Sequence, residues 1–139
     1  MQAMNKPVAE AAVVQATLQA FLSALDRGED ALEGWFTPDA TMYFPFRNSQ
    51  ALVHGREAIV ARFARMNAQL RQTKPAPPYI GFGMRDFRVE WLAPGWALVT
   101  AMFTFADQWG RRTLLLRAED AGAWRIHHLH ASNLPAPPA

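Results

Sequence analysis

The chain has 139 residues, half of them apolar, with 14 Lys plus Arg against 12 Asp plus Glu and a formal net charge of +2. Without a basic stripe that balance argues against a nucleic-acid partner, and the lack of cysteine excludes disulfides, thiolate nucleophiles and cysteine zinc sites. No apolar run reaches the roughly 20 residues of a membrane span and no charged-then-apolar leader opens the chain, so a cytoplasmic protein without membrane contact is expected.

The helical signals come first. After Pro7, the residues Val14, Leu18, Phe21, Leu22 and Leu25 recur at helical spacing, and Gly28 stands where a glycine cap ends a helix. "EDALEGWF" predicts a short second helix offering Leu32, Trp35 and Phe36 to the same core, before "TPD" turns the chain. "ATMYFPF" predicts a brief strand ended by Pro45. His54-Gly55 then leads into a third helix, with Ile59, Phe63, Met66 and Leu70 on one face. "KPAPP", residues 74–78, fits neither a helix nor a central strand and reads as a crossing loop.

The second half reads as strand throughout. Ile80, Phe82 and Met84 alternate with Gly81 and Gly83, and then Phe87, Val89 and Trp91 alternate on the opposite parity. A parity switch inside one strand predicts a bulge near Arg85-Asp86. "APG" predicts a hairpin turn, 96–106 is apolar on both faces, "DQWGRR" predicts another turn, and "TLLLRAE" follows. In the last strand, "AWRIHHLHAS", strict alternation sends Trp124, Ile126, His128, His130 and Ser132 to one face. His127, Leu129, Ala131 and Asn133 go to the other. A meander with two covered faces needs helices on one side and a second subunit on the other. Residues 1–134 are expected to form one domain and 135–139 a Pro-rich tail.

Nine Phe and five Trp exceed what a core of this size needs, which points to a cavity or an interface. The histidines offer little as metal ligands. His128 and His130 stand two apart on one face, nothing in the sequence supplies a third ligand, and His54 reads as a turn residue. No metal and no cofactor is expected.

Three segments in order, "LDRGEDALEGWFTPDAT", "HGREAI" and "WRIHHLHAS", resemble the nuclear transport factor 2-like, or SnoaL-like, group. The last is similar to the W-x-I-x-H-x-H-x-S ending shared with the calcium/calmodulin-dependent kinase II association domain. The resemblance covers residues 8–134. It implies an α+β cone, three N-terminal helices packed on a strongly curved antiparallel/mixed β-sheet. It says little of activity, because the fold hosts isomerases, dehydratases, cyclases and non-catalytic assembly domains.

The resemblance also implies a pocket inside the cone. Its lining would be Phe21, Trp35, Phe44, Phe63, Phe82, Phe103, Phe105 and Leu115, with His127, Leu129 and Asn133 from the last strand. His127 as a general base and Arg117 as an anion-binding partner are the catalytic candidates. The proton-transfer groups of ketosteroid isomerase are unmatched: its tyrosine falls on Phe21, its base on Phe44 and its second aspartate near Leu114. An Asp-Arg-Asp centre like that of limonene epoxide hydrolase finds no candidates either, since Asp86, Asp107 and Asp120 fall at bends.

The expected function is a homodimer binding a small apolar or aromatic ligand. The dimer would use the outer sheet face, read as Trp124, Ile126, His128 and His130. An isomerase, cyclase or dehydratase of polyketide-like or steroid-like compounds is one alternative, and a non-catalytic assembly domain another.

Overall fold

The computed structural model describes residues 2–138. Helix α1 (Gln2–Asp26) begins upstream of Pro7 and drives Val14, Leu18, Phe21, Leu22 and Leu25 into the core. It ends at Gly28, whose φ of +71° is the left-handed conformation a glycine cap supplies. The second expected helix is only a single 3-10 turn, Glu33–Trp35. Leu32 and Phe36 flank it, both fully buried, so the turn anchors itself at each end. Phe36 already has extended backbone, which stops further coiling.

Strand β1 (Phe36–Tyr43) therefore starts before "TPD" and includes it, where a turn was expected. Strand β2 (Val53–His54) pairs antiparallel with β1, and helix α2 (Arg56–Thr73) follows Gly55 at φ +91°. Ile59 and Phe63 are buried while Met66 and Leu70 are half-buried, as their shared face predicts.

Strands β3 (Gly83–Ala93), β4 (Trp96–Phe105), β5 (Gln108–Ala118) and β6 (Trp124–Pro135) complete a six-stranded sheet in the order β2-β1-β6-β5-β4-β3. Only the β1–β6 pair is parallel. The helices lie on one face of this curved mixed sheet, so the architecture is the α+β cone with two α-helices in place of three. Among the described residues, no helix is long and apolar enough to cross a membrane.

The Pro94-Gly95 turn joins β3 to β4, with Gly95 at φ +78°. "DQWGRR" is not a turn as a whole: Ala106-Asp107 alone makes the hairpin, and Gln108 already pairs with Phe105. The expected tail is shortened in the same way. Pro135 pairs with Gln108, and the Ala136 N–H donates to the Asp107 carbonyl at 2.7 Å.

Two bulges set which side chains face inward. In β3 the register shifts between Arg85 and Arg88, with Asp86 at φ +56°, where the parity switch predicts it. In β6 Leu115 faces His128 but Leu116 faces Ile126, so His127 is an extra residue without a partner on β5. Strict alternation fails there. Ile126, Leu129 and Ala131 are all buried on the inner face, and Trp124 packs beside Trp91 against the same core. Trp124 and Ile126 therefore leave the expected outer face, while His128 and His130 stay on it.

Candidate functional site

Between the two helices and the inner face of the sheet lies a cavity of about 700 Å³. Phe21, Phe44, Phe63, Phe82, Phe103, Phe105, Leu129 and Asn133 line it, as does Ala131. Its aromatic wall is continuous: the Phe63 ring centroid is 5.9 Å from Phe21 and 5.0 Å from Phe44. Across the cavity Phe82 stands 6.2 Å from Phe103 and 5.3 Å from Phe105. Edge-to-face contacts of this kind fix the rings and give the wall a definite shape. Exposed Asn48, Gln69, Thr73 and Lys74 mark where the cavity opens to solvent.

Three residues expected in the lining, Trp35, Leu115 and His127, are elsewhere, as is the catalytic candidate Arg117. Trp35 packs edge-on against the back of Phe21, at 5.9 Å. Leu115 and Arg117 are turned to the outer face. The run of three leucines in "TLLLR" conceals the parity, and it is Leu114 and Leu116, both fully buried, that point inward. His127 is turned outward by its bulge.

The structure does bring His127 and Arg117 together, on the far side of the sheet from the cavity. Trp96 lies between them, its ring 5.4 Å from the imidazole and 5.5 Å from the guanidinium carbon. The His127 Nδ1 hydrogen-bonds Thr37 Oγ1 at 2.8 Å and lies 3.7 Å from an Asp39 carboxylate oxygen. Arg117 spans Glu119 at 3.1 Å and Asp39 at 3.4 Å. A backbone hydrogen bond, with the charges of His127 and Arg117, holds the Asp39 carboxyl below its ordinary pKa, while Glu119 raises that of Arg117. One strand position along, His128 Nδ1 meets Thr41 Oγ1 at 2.7 Å, and Tyr43 covers His130 with rings 5.2 Å apart. These hydroxyl–imidazole bonds tie β1 to β6 where the ladder is interrupted between Phe36 and Thr41.

The buried charged group of the cavity wall is Arg112, which sequence reasoning missed. It is buried on the inner face of β5, two residues before Leu114. Its Nη1 donates to the carbonyls of Arg111 and Ser132 and to Asn133 Oδ1, at 3.0, 3.1 and 3.0 Å. All three acceptors are neutral. Its guanidinium carbon sits 5.5 Å from the Phe103 ring centre. Burial lowers its pKa to about 10, so it is charged at neutral pH.

Gly110, two residues earlier on the same face, makes this placement possible. A Cβ there would come within 2.8 Å of Nη1 and 2.9 Å of Cζ and Nη2. A Gly-x-Arg pair on the parity of Leu114 and Leu116 was the available signal. It was hidden because "WGRR" reads as a turn. Arg62 and Lys74 also line the cavity, and Arg62 stacks over Phe44 and Phe46 at 5.5 and 5.0 Å. Among the described residues, no Asp, Glu or His lines it.

A curved mixed sheet closed over an aromatic cavity by helices defines the nuclear transport factor 2-like class. Within it, the chain belongs to the SnoaL-like domain family, whose model matches residues 14–137. A cystatin-like fold protein from Burkholderia xenovorans superimposes with a TM-score of 0.66 at 25% identity, over 96% of this chain and 97% of that one. A ketosteroid isomerase-like protein from Erwinia carotovora atroseptica gives 0.65 at 21% identity, over 92% and 98% of the two chains. The CaMKII hub of S. rosetta gives 0.67 at 20% identity, over 88% and 95%. These are likenesses of fold. Among curated proteins, none matches the sequence.

Proposed function

We propose that this SnoaL-like domain is a binding module, working as a homodimer, whose cavity takes a small organic molecule with an apolar or aromatic body. The observation that carries the reading is the cavity of about 700 Å³, walled by phenylalanines that touch one another yet leave the space between them open. A site that is mostly apolar with a few convergent polar groups is the usual form of a small-molecule pocket. A binding role is preferred to catalysis because, among the described residues, the side chains lining the cavity include no carboxylate or imidazole to move a proton near neutral pH. Calorimetric titration of naphthalene-sized compounds is expected to give weak affinities, on the order of millimolar, since burying about 150 Å² of ring yields some 3 to 4 kcal/mol. Ala131→Phe, which fills the space, should abolish them. No binding of any such compound would defeat the reading.

The homodimer is proposed through the outer sheet face. Trp96, Leu98, Met102 and Leu115 lie half-buried there beside His128 and exposed His130. We assign His127 and Arg117 to this face, as anchors of the interface. Light scattering should give a dimer at micromolar concentration, weakened by His130→Glu; a monomer would refute it.

A further inference from the structure

We propose that the ligand is an organic carboxylate whose acid group pairs with the Arg112 guanidinium while its apolar body lies against the phenylalanines. This rests on the cavity being a ligand site and adds the chemistry that selects the ligand.

Arg112 is buried, and among the described residues no Asp or Glu forms an ion pair with it. A buried cation normally has a counter-ion, because its lost hydration is otherwise unrecovered. Here the protein satisfies one nitrogen only: Nη1 is taken by the Arg111 and Ser132 carbonyls and Asn133. Nε and Nη2 have no protein acceptor among the described residues. Neither is among the atoms sealed from solvent without a partner, so both reach accessible space, and Arg112 lines the cavity. Two parallel N–H groups on one edge of a guanidinium match the two oxygens of a carboxylate.

Gly110 supplies the second observation. Its missing side chain is the space the guanidinium occupies, with contacts of 2.8 to 2.9 Å to any Cβ placed there. Asn133 and the Phe103 face close the other sides. The head is held in one orientation before a ligand arrives, which spares the ordering cost of binding. The remaining charged residues of the lining, Arg62 and Lys74, are also cationic. The cavity thus combines an apolar body with positive charge alone.

The experiment compares 2-naphthylacetic acid with its methyl ester and with 2-naphthylethanol, titrated by calorimetry at pH 7.5 into the wild-type protein, Arg112→Met and Gly110→Ala. The acid should bind the wild type about tenfold or more tighter than either neutral compound, the scale of a charge-assisted pair in a desolvated site. Arg112→Met should erase that preference while leaving ester affinity within about twofold. In Gly110→Ala the added methyl meets the end of a flexible side chain, so the guanidinium swings aside and the preference shrinks. The ligand-free melting temperature should barely move. Equal binding of acid and ester by the wild type overturns the carboxylate assignment and leaves the ligand site standing. Ester bound with no acid preference lost in either variant also overturns it. If none of the three compounds binds, the cavity reading itself fails. 2-Naphthalenesulfonate serves as a further arm, and tighter binding than the carboxylate overturns the choice of acid.

Discussion

Replacing Arg112 with Met should stabilise the ligand-free protein, although it removes three hydrogen bonds. Burial brings the guanidinium down from its ordinary, strongly basic range to about 10. At roughly 1.4 kcal/mol for each factor of ten, the fold bears about 3 kcal/mol for keeping that charge. Against this stand the bonds of Nη1. Two acceptors, the carbonyls of Arg111 and Ser132, belong to residues paired with each other in the β5–β6 ladder, so only the Asn133 amide loses a principal partner. That loss is worth about 1 to 2 kcal/mol. The difference, about 1 to 2 kcal/mol in favour of Met, should raise the melting temperature by a few degrees, on the order of 3 to 6 °C. Differential scanning calorimetry at pH 7 tests it, with urea unfolding as a second measure. The pH dependence gives an independent check. Because the folded state disfavours the protonated guanidinium, its penalty is full below pH 10 and fades as pH rises above 10 toward the ordinary guanidinium range. The advantage of the variant should therefore narrow in that range. A variant melting more than about 5 °C below wild type would show that Arg112 is a structural strut and not an uncompensated charge.

Phe63→Ala removes a ring in contact with Phe21, Phe36 and Phe44 and should cost about 3 to 4 kcal/mol in urea unfolding. Asn67 is fully buried on α2, its Nδ2 donating to the Glu29 carbonyl at 2.8 Å and to Asp30 at 3.3 Å. Asn67→Ala should lose about 1 to 3 kcal/mol by the same measurement. Burial, then the charges of His130 and His127, lowers the His128 pKa from 6.5. The folded state then resists charging it, so stability should fall as pH drops below 6.5, and His128→Gln should flatten that slope in melts between pH 5 and 7.

How far the sequence is readable depends on what each position asks of its neighbours. The bulge at Arg85-Asp86 shows because apolar residues stand on both sides of it and change parity. The bulge at His127 has no such signature: two histidines tolerate either face, so the count of alternation runs through it unnoticed. Leu114, Leu115 and Leu116 conceal their parity for the opposite reason, each being apolar enough for the core. The phenylalanines of the cavity are apparent in the sequence because their number exceeds what packing needs. Arg112 is not, because its significance lies in a missing methyl at Gly110 and a missing carboxylate nearby. Neither is visible until β5 and β6 are paired.

The two rims of the sheet limit how copies of this chain can meet. At one rim β2 covers only Thr41 and Met42 of β1, and the rest of that strand includes Pro38, which has no N–H to give. At the other, β3 is kinked at Asp86 and carries exposed Arg85, Asp86, Arg88 and Glu90. Neither rim presents a straight row of free amides, so a further strand has no template to zip onto. A chain this rich in aromatic residues therefore offers no rim along which folded copies could add strand to strand and grow sideways into extended fibres.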